Sequence, residues 1–438
     1  MTDWESIRRW TKGGFRGKSL LEHMKTVEDP RSPRAKKHQL AEVLTYMVAG
    51  YLSGRTTIRR CVRWAGSHQK WLRKGMRLEN GIASVPTVSR LLSSIDEELF
   101  LYAFMGWVGE ILDSRGCHIA IDGKAIRAAA SRVRSEKAPM LMNAIDAATG
   151  LVLAQLPVTE KSNEITGIPK LLKLLNIEDS IITIDAIGTQ TEIMDQIHEQ
   201  DGHFVLLVKR NQPQSYDEIV AFIRKAEEEL EKARNKGYIS PYADLLSKYD
   251  EVSYMEQNRD RYEYRTLSIC NDPSPVTKTG EEWLYVKSVG CIRQTRILMV
   301  RDKDGNDITP DMETFLKKGS ARQPCPVEGD REGDDVQIIG IISDMEMQAG
   351  DMGRCKRLHW SVENRLHHIL DDTFREDRSP AKKSKNNLAL IRKFAYNILR
   401  IAAIRERWNC PMTEMMDIFA DDPSLLERYI FQGIESFN

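Results

Sequence analysis

The chain has 438 residues, 29% of them charged and 41% hydrophobic, and its 64 basic and 64 acidic side chains cancel. That length can bury a sizeable core and is expected to divide into two or three domains. No stretch approaches the roughly 20 consecutive apolar residues of a membrane helix, and the N-terminus, Met1-Thr2-Asp3-Trp4-Glu5, carries no signal-peptide core. The seven cysteines are scattered without a C-x-x-C pair, which suits reduced thiols in a cytoplasm better than a disulfide or zinc framework. A net charge of zero argues neither for nor against a nucleic-acid partner, so local charge has to decide.

The chain turns amphipathic at Leu20-Leu21-Glu22-His23-Met24. The segment 29–38 then holds Pro30 and Pro33, which forbid a continuous helix, among Arg31, Arg34, Lys36 and Lys37. It suits a phosphate-contacting loop or, alternatively, a solvated linker. Leu40, Val43, Leu44, Met47, Val48 and Tyr51 recur at helical spacing and predict a core helix. A second helix runs through Ile58, Val62 and Trp64 with Arg59, Arg60 and Arg63 on its surface. Ser84 is placed to cap a third, with Pro86 in its first turn. A further helix spans about 97–112. Short helices with basic faces resemble a helix-turn-helix-like DNA-binding unit; a plain helical bundle is the rival.

At 117–122 the period changes to an apolar run ending on Asp122, followed by Gly123 and a basic loop with Lys124, Arg127, Arg132, Arg134 and Lys137. Strands at 140–146 and 151–158, joined through Ala147-Ala148-Thr149-Gly150, make a meander. A helix at 164–175, a strand ending on Asp185, a helix at 190–199 and a strand at 204–208 follow. The order β-β-β-α-β-α-β is the ribonuclease H-like arrangement. Its first and fourth strands run side by side and parallel, and the 63 residues from Asp122 to Asp185 suit the two strands, helix and turns between them.

A charged helix is expected at 216–236. Strands are expected at 262–269, 283–290, 296–301 and 336–342, so 214–345 reads as a β-rich insertion. Asp302–Asp307 resembles a calcium loop but lacks its twelfth-position acid, and reads as a hairpin turn. Helix returns at 353–370, where His359, Glu363 and His367 fall at i, i+4 and i+8 on one face. A polar loop, a long helix at 387–407 and two short ones close the chain. The expected domains are 1–114 helical, 115–213 the first part of the catalytic core, 214–345 the insertion, and 346–438 the helical remainder of the core.

Asp122 and Asp185 each follow an apolar strand, at the sheet edge where open α/β sheets bind ligands. Either one alone reads as a turn residue. Together with Glu363 they form a set of acids flanked by Lys and Arg. Phosphodiester cleavage by two metal ions about 3.5–4 Å apart needs a few bridging carboxylates. Magnesium takes oxygen ligands and keeps substrate phosphates in its shell. Mg2+, or Mn2+ in its place, is therefore expected on Asp122, Asp185 and Glu363. Zinc on His359, Glu363 and His367 is a rival reading, weakened because H-x-x-x-E-x-x-x-H is not H-E-x-x-H and holds no internal base. A salt bridge from Glu363 to Arg357 or Arg365 is another.

Several blocks, taken together, resemble the bacterial insertion-sequence transposases of the DDE type, in the ISAs-type group that includes the H-repeat-associated proteins of Rhs elements. They are D-P-R-x-x-R-x-x-x-H at 29–38, I-A-I-D-G-K at 119–124, E-K-S-N-E-I-T at 160–166 and I-T-I-D-A-I-G-T-Q at 182–190. V-K-R-N-Q-P at 208–213 follows, with Arg210 where the group has glycine, and then H-W-S-V-E-N-R-L-H-H-I-L-D-D-T-F-R-E-D at 359–377. The Y-R-E-K signature of related transposases is not kept, because His359 and Leu370 stand where its Arg and Lys would be.

The resemblance implies a DNA transposase that nicks element ends and joins the 3′-hydroxyls to target DNA, with Asp122, Asp185 and Glu363 as the metal-binding catalytic triad. It implies double-stranded DNA partners, the terminal inverted repeats and a target, and a homodimer that pairs two ends. The expected location is a bacterial cytoplasm, at the nucleoid when bound. Arg31, Arg34, Lys124, Arg127, Lys209, Asn211, Arg357, His359, Asn364 and His367 are the expected DNA contacts. The competing readings are a domesticated DNA-binding protein or repressor that no longer cuts, and a nuclease without strand transfer.

Overall fold

The computed structural model describes residues 17–32, 34, 36–125, 140–158, 164–233, 238–258, 261–280, 282–309, 336–379 and 383–437. Helices come first: α1 (Leu20–Met24), α2 (Leu40–Leu52), α3 (Ile58–Ser67), α4 (Gln69–Leu72), α5 (Val85–Ser94) and α6 (Glu97–Ile111). The next elements are β1 (His118–Ala125), β2 (Met140–Asp146), β3 (Val152–Val158), α7 (Glu164–Leu172), β4 (Ile181–Ile184), α8 (Thr191–Glu199) and β5 (His203–Val208). Their order is the β-β-β-α-β-α-β that the apolar runs predict. Then come α9 (Pro213–Ala233), α10 (Ala243–Ser247), β6 (Tyr249–Asn258), β7 (Arg261–Cys270), β8 (Ser288–Leu298) and β9 (Val336–Ser343). The chain ends with α11 (Ala349–Val362), a π-helical turn (Glu363–His367), α12 (His368–Asp372), α13 (Lys385–Arg405), α14 (Met412–Asp421) and α15 (Pro423–Phe431). No helix among the described residues is long and apolar enough to cross a membrane. It is a mixed α/β chain with a helical N-terminal region.

Two compact units divide it, one of residues 1–182, 200–202 and 358–438, the other of 183–199 and 203–357. In the first unit, β3, β2 and β1 are antiparallel neighbours, with Asp122 opposite Asn143 and Lys124 opposite Leu141. At the start of β4 the Ile181 N–H donates to the Cys117 carbonyl at 2.9 Å. Every residue of β2 is buried, which accounts for its unbroken apolar run Met140-Leu141-Met142. Helix α13 is the axis of this unit. Nearly all of its residues from Asn386 to Ile404 are buried. Phe394 meets Phe100, Phe104 and Trp107 with ring centroids 4.9–5.9 Å apart, and such pairs add about 0.5–1.5 kcal/mol each beyond area burial.

The polar side of α13 reaches sheet and loops. Asn397 accepts from the Val152 N–H at 2.9 Å and donates to its carbonyl at 2.8 Å. Arg400 donates to the Thr149 carbonyl, and Tyr396 Oη donates to the Gly150 and Arg365 carbonyls. The helix caps follow sequence chemistry: Ser84 accepts from the Thr87 N–H and Asp96 from Glu98 and Leu99.

In the second unit, β5, β9, β8, β7 and β6 follow one another as antiparallel neighbours. Ile219, Ile223 and Ala226 form the buried stripe of α9, which packs on β8 and β9. One expectation needs correction here, and one strand was not expected. The strands expected at 283–290 and 296–301 overlap a single strand, β8, which leaves 283–287 and 299–301 outside it. Arg293, in the gap between the two expected strands, donates to Glu227 of α9 at 3.0 Å, so its charge is paired inside β8. Strand β6, rich in acids and half exposed, carries no apolar alternation to announce it. Asp302 accepts from the Asp304 and Asn306 N–H groups, and Arg301 bridges to Asp307, the hairpin turn expected there.

Candidate active site

Strand β1 runs three residues past Asp122 rather than ending on it. The reason is Lys124. Read as the start of a basic loop, it is buried instead: its Nζ lies 2.5 Å from Glu376 Oε2 and 2.6 Å from Asp371 Oδ1. With its charge matched, the strand can continue into the interior. Lys124 and Asp122 share one face of β1. Arg127 lies outside the described residues.

The Asp122 carboxylate accepts from the Gly123 N–H at 2.8 Å, and its Oδ2 is 3.4 Å from His367 Nδ1. Burial, with Lys124 and Lys393 nearby, pushes the His367 imidazole down to about 3, so the contact is one between a carboxylate and a neutral ring. The other ring nitrogen, Nε2, is buried with no hydrogen-bond partner among the described residues. His359 is also buried, and burial together with its nearby charge takes His118 down to about 4.

Glu363 begins the π-helical turn that ends on His367. A π turn holds one residue more than an α turn and is found often at functional sites. It breaks the even i, i+4, i+8 face expected of His359, Glu363 and His367. His359 is buried, Glu363 and Asn364 are exposed, and His367 is intermediate. Arg365 donates to the Ala147 carbonyl at 3.2 Å rather than pairing with Glu363.

Below the turn lies a group of buried charges that sequence reading missed. Glu376 is 1% exposed and takes Lys124 and, at 3.7 Å, Arg392. Burial would raise its pKa, but Lys393, Lys124 and Arg392 outweigh it and hold the carboxyl below its usual range. Lys393 is fully buried and donates to Gln155 Oε1 at 2.6 Å, and burial takes it down to about 8. Arg375, which precedes Glu376, has φ 53° and ψ 41°. A non-glycine residue there costs about 1–3 kcal/mol and persists only where its surroundings impose it. The strain turns Glu376 inward. The F-R-E-D block at 374–377 was the available signal.

In the second unit, Asp185 follows β4 directly, as expected. Its Oδ1 is 2.8 Å from Lys209 Nζ, both side chains being well exposed. The two blocks around them interlock. Asn211 donates to the Ala186 carbonyl at 2.7 Å, Gln212 to the Thr189 carbonyl at 3.1 Å, and Thr189 to the Leu207 carbonyl at 2.6 Å. Arg210 lies over the Tyr216 ring, 5.8 Å from its centroid. Buried Lys356 is held down to about 7 by burial and by Arg265, Lys209 and Arg296, against the pull of Asp185.

Several expected DNA contacts make bonds within the chain, Asn211 and His367 as above and Arg31 and Lys124 besides. Arg31 makes a two-point ion pair with Asp29 and donates to the His38 carbonyl at 2.6 Å, which closes the 29–38 loop. Lys124 is interior. Arg357 pairs with Glu256 at 2.8 Å but stays 59% exposed, and Arg34 is exposed.

Carboxylate oxygens at Asp122, Asp185 and Glu363 fit a hard cation chemically. The described residues hold no group of three or more His, Cys, Asp or Glu placed to take a metal by themselves. Magnesium usually binds through one or two carboxylates, with waters and substrate phosphates completing its shell, so the donor chemistry fits an ion whose shell substrate completes.

Carboxylates at strands with basic side chains nearby are the donor chemistry that metal-dependent phosphodiester cleavage uses. Residues 113–398 match the family model described as the transposase DDE domain, and 21–108 match the one described as DDE_Tnp_1-associated. The chain therefore belongs to the DDE transposase family. It is 29% identical over 385 residues to YncI of Escherichia coli O157:H7, covering 87% of each chain. To the H-repeat-associated YhhI of Escherichia coli K12 it is 28% identical, covering 87% of this chain and 90% of that one. To YbfD of the same strain it is 31% identical, over 59% of this chain and 96% of that one. All three names carry the word transposase. A piggyBac transposase synaptic complex with hairpin DNA covers 98% of this chain and 81% of that one at 10% identity; its TM-score of 0.38 is too low to bear on the fold. The function is that of an insertion-sequence transposase, and neither the repressor nor the plain nuclease is favoured.

Proposed function

We propose that the chain cuts DNA at its element's terminal repeats and joins the freed 3′ ends to a target, with Asp122, Asp185 and Glu363 as the carboxylates that hold divalent metal, Mg2+ foremost. The observation that carries this reading is the contact of His367 with Asp122, which ties the turn that starts on Glu363 to the strand that bears the first acid. The bound metal would supply Lewis acidity to the scissile phosphate and a nucleophile at neutral pH. His367 orients the Asp122 carboxylate, and the buried Lys124–Glu376 pair fixes the strand beneath it. Lys209 neutralises Asp185 until DNA arrives. Arg34, Asn364, Lys209 and Arg357 keep enough exposure to meet phosphates, whereas Arg31 and Lys124 shape the chain.

The proposed layout is a ribonuclease H-like core in two parts, 115–213 and 346–438, interrupted by 214–345 and preceded by 1–114. The order of β1 to β5 with α7 and α8 between them supports it. Two copies are proposed to act together, because two element ends have to be joined. The test is cleavage of a labelled duplex bearing the terminal repeat, with magnesium, by wild type and by Asp185→Asn. Strand-specific nicking lost in the variant is the expected result. Equal nicking by both would remove Asp185 from the site.

A further inference from the structure

Helices α2 and α3 meet closely. A Cβ on Gly50 would lie 2.9 Å from the Cys61 Cβ, so the helices approach as only glycine allows. Gly54, at φ +75°, ends α2 in the left-handed conformation and turns the chain toward α3. The next residue, Arg55, is locked at the elbow: its N–H donates to the Gly50 carbonyl at 2.9 Å, and its carbonyl accepts from the Cys61 thiol at 3.3 Å. Arg60 and Arg63 stand one turn apart on α3. The three arginines line a surface cavity of about 340 Å³ together with Trp64 and His68. The His68 ring stacks on Trp64 at 4.6 Å, and His68 Nδ1 is 2.8 Å from the Trp64 carbonyl, which makes a firm floor.

Helix α3 contains no acidic residue. Among the described residues, no carboxylate forms an ion pair with Arg55, Arg60 or Arg63. Three guanidinium groups around one opening repel each other unless an anion joins them. Guanidinium groups match phosphate oxygens in two-point geometry. A cavity of this size, with an aromatic floor and cationic rim, fits a phosphodiester and its sugar.

We infer that the Arg55–Arg60–Arg63 cavity is a binding site for a DNA backbone phosphate. The site takes the backbone without reading bases, so it grips any duplex and adds holding strength to the element end. It rests on the transposase reading for the identity of the polymer.

The test is anisotropy titration of full-length protein against two labelled duplexes of equal length, one with the terminal repeat and one unrelated, over a series of salt concentrations. The variant Arg55→Ala/Arg60→Ala/Arg63→Ala is compared with wild type and with the triple Arg→Lys variant. Loss of the phosphate contact is expected to weaken both duplexes by a similar factor and to flatten the slope of log K against log salt by about one, at roughly 0.9 per phosphate. The lysine variant should keep most of the slope, and it carries the test if the alanine variant melts early. Unchanged slope and affinity would overturn the site, as would a loss confined to the terminal repeat, which is base reading. Inorganic phosphate that binds wild type but not the alanine variant, while both bind DNA with equal affinity and slope, would reassign the cavity to a free anion. A wild type that binds neither duplex would instead sink the transposase reading, and this inference with it.

Discussion

Two aspartates expected to do one job are built in opposite ways. Asp122 lies within a strand, over a buried charge group of Lys124, Glu376, Arg392 and Lys393, and beside a neutral histidine. Asp185 sits just past a strand end, with one lysine that shares the solvent. Buried charges cost several kcal/mol each to desolvate and hold together only when fully partnered. Exposed pairs contribute about 0–1 kcal/mol. One acid is therefore held by an arrangement that resists change, the other by an ion pair that solvent already competes for. On the proposed reading, the carboxylate that keeps its place and the one that gives up Lys209 to meet substrate have different surroundings.

The largest effect that could break this comparison is chemical. Asp122→Asn, Asp185→Asn and Glu363→Gln should each lower cleavage by about a thousandfold or more, on the scale of removing one catalytic electrostatic group, while DNA binding by anisotropy stays near wild type. Retained cutting in any of the three would take that residue out of the site. The next is stability. Glu376→Gln leaves Lys124, Arg392 and Lys393 without their buried acid and should cost about 3–5 kcal/mol in urea unfolding. A cost below about 1 kcal/mol would show that the group is not the anchor of β1.

A pH series sharpens the same point. The folded pKa of Lys393 lies near 8, below the ordinary lysine value. The unfolded chain thus binds more protons between about pH 8 and 10.4, and stability should rise over that window by at most about 1.4 kcal/mol per unit. Below pH 8 the penalty is fully present. Lys393→Met should lack this rise relative to wild type; parallel curves would refute the depressed pKa. The smallest effect is expected at Lys209→Ala, under about 1 kcal/mol in stability. If it matches Glu376→Gln in cost, the two aspartates are not held differently after all.

The legible parts of the fold were those that apolar pattern and capping chemistry control. The run Ile119-Ala120-Ile121 and the turn Ala147–Gly150 announced β1 and the meander, and Ser84 with Pro86 announced α5. What stayed hidden depends on distant partners. Lys124 reads as loop because its acids lie some 250 residues later, and Arg293 falls in the gap between two expected strands because its partner, Glu227, belongs to another element. The π turn leaves no residue signature, since an i→i+5 bond asks nothing special of a side chain. The acids themselves were findable through their block patterns. Their contrasting surroundings were not, because burial of charge is a property of the packed chain.

The Asn397 side chain occupies both backbone groups of Val152. Val152 opens β3, the outer strand of its meander. An outer strand offers free donors and acceptors on which another chain can build a further strand, a route to runaway association. Here α13, a helix more than two hundred residues further along the chain, seals that margin at its first residue. The bond closes one uncontrolled route of self-association at that end of the strand.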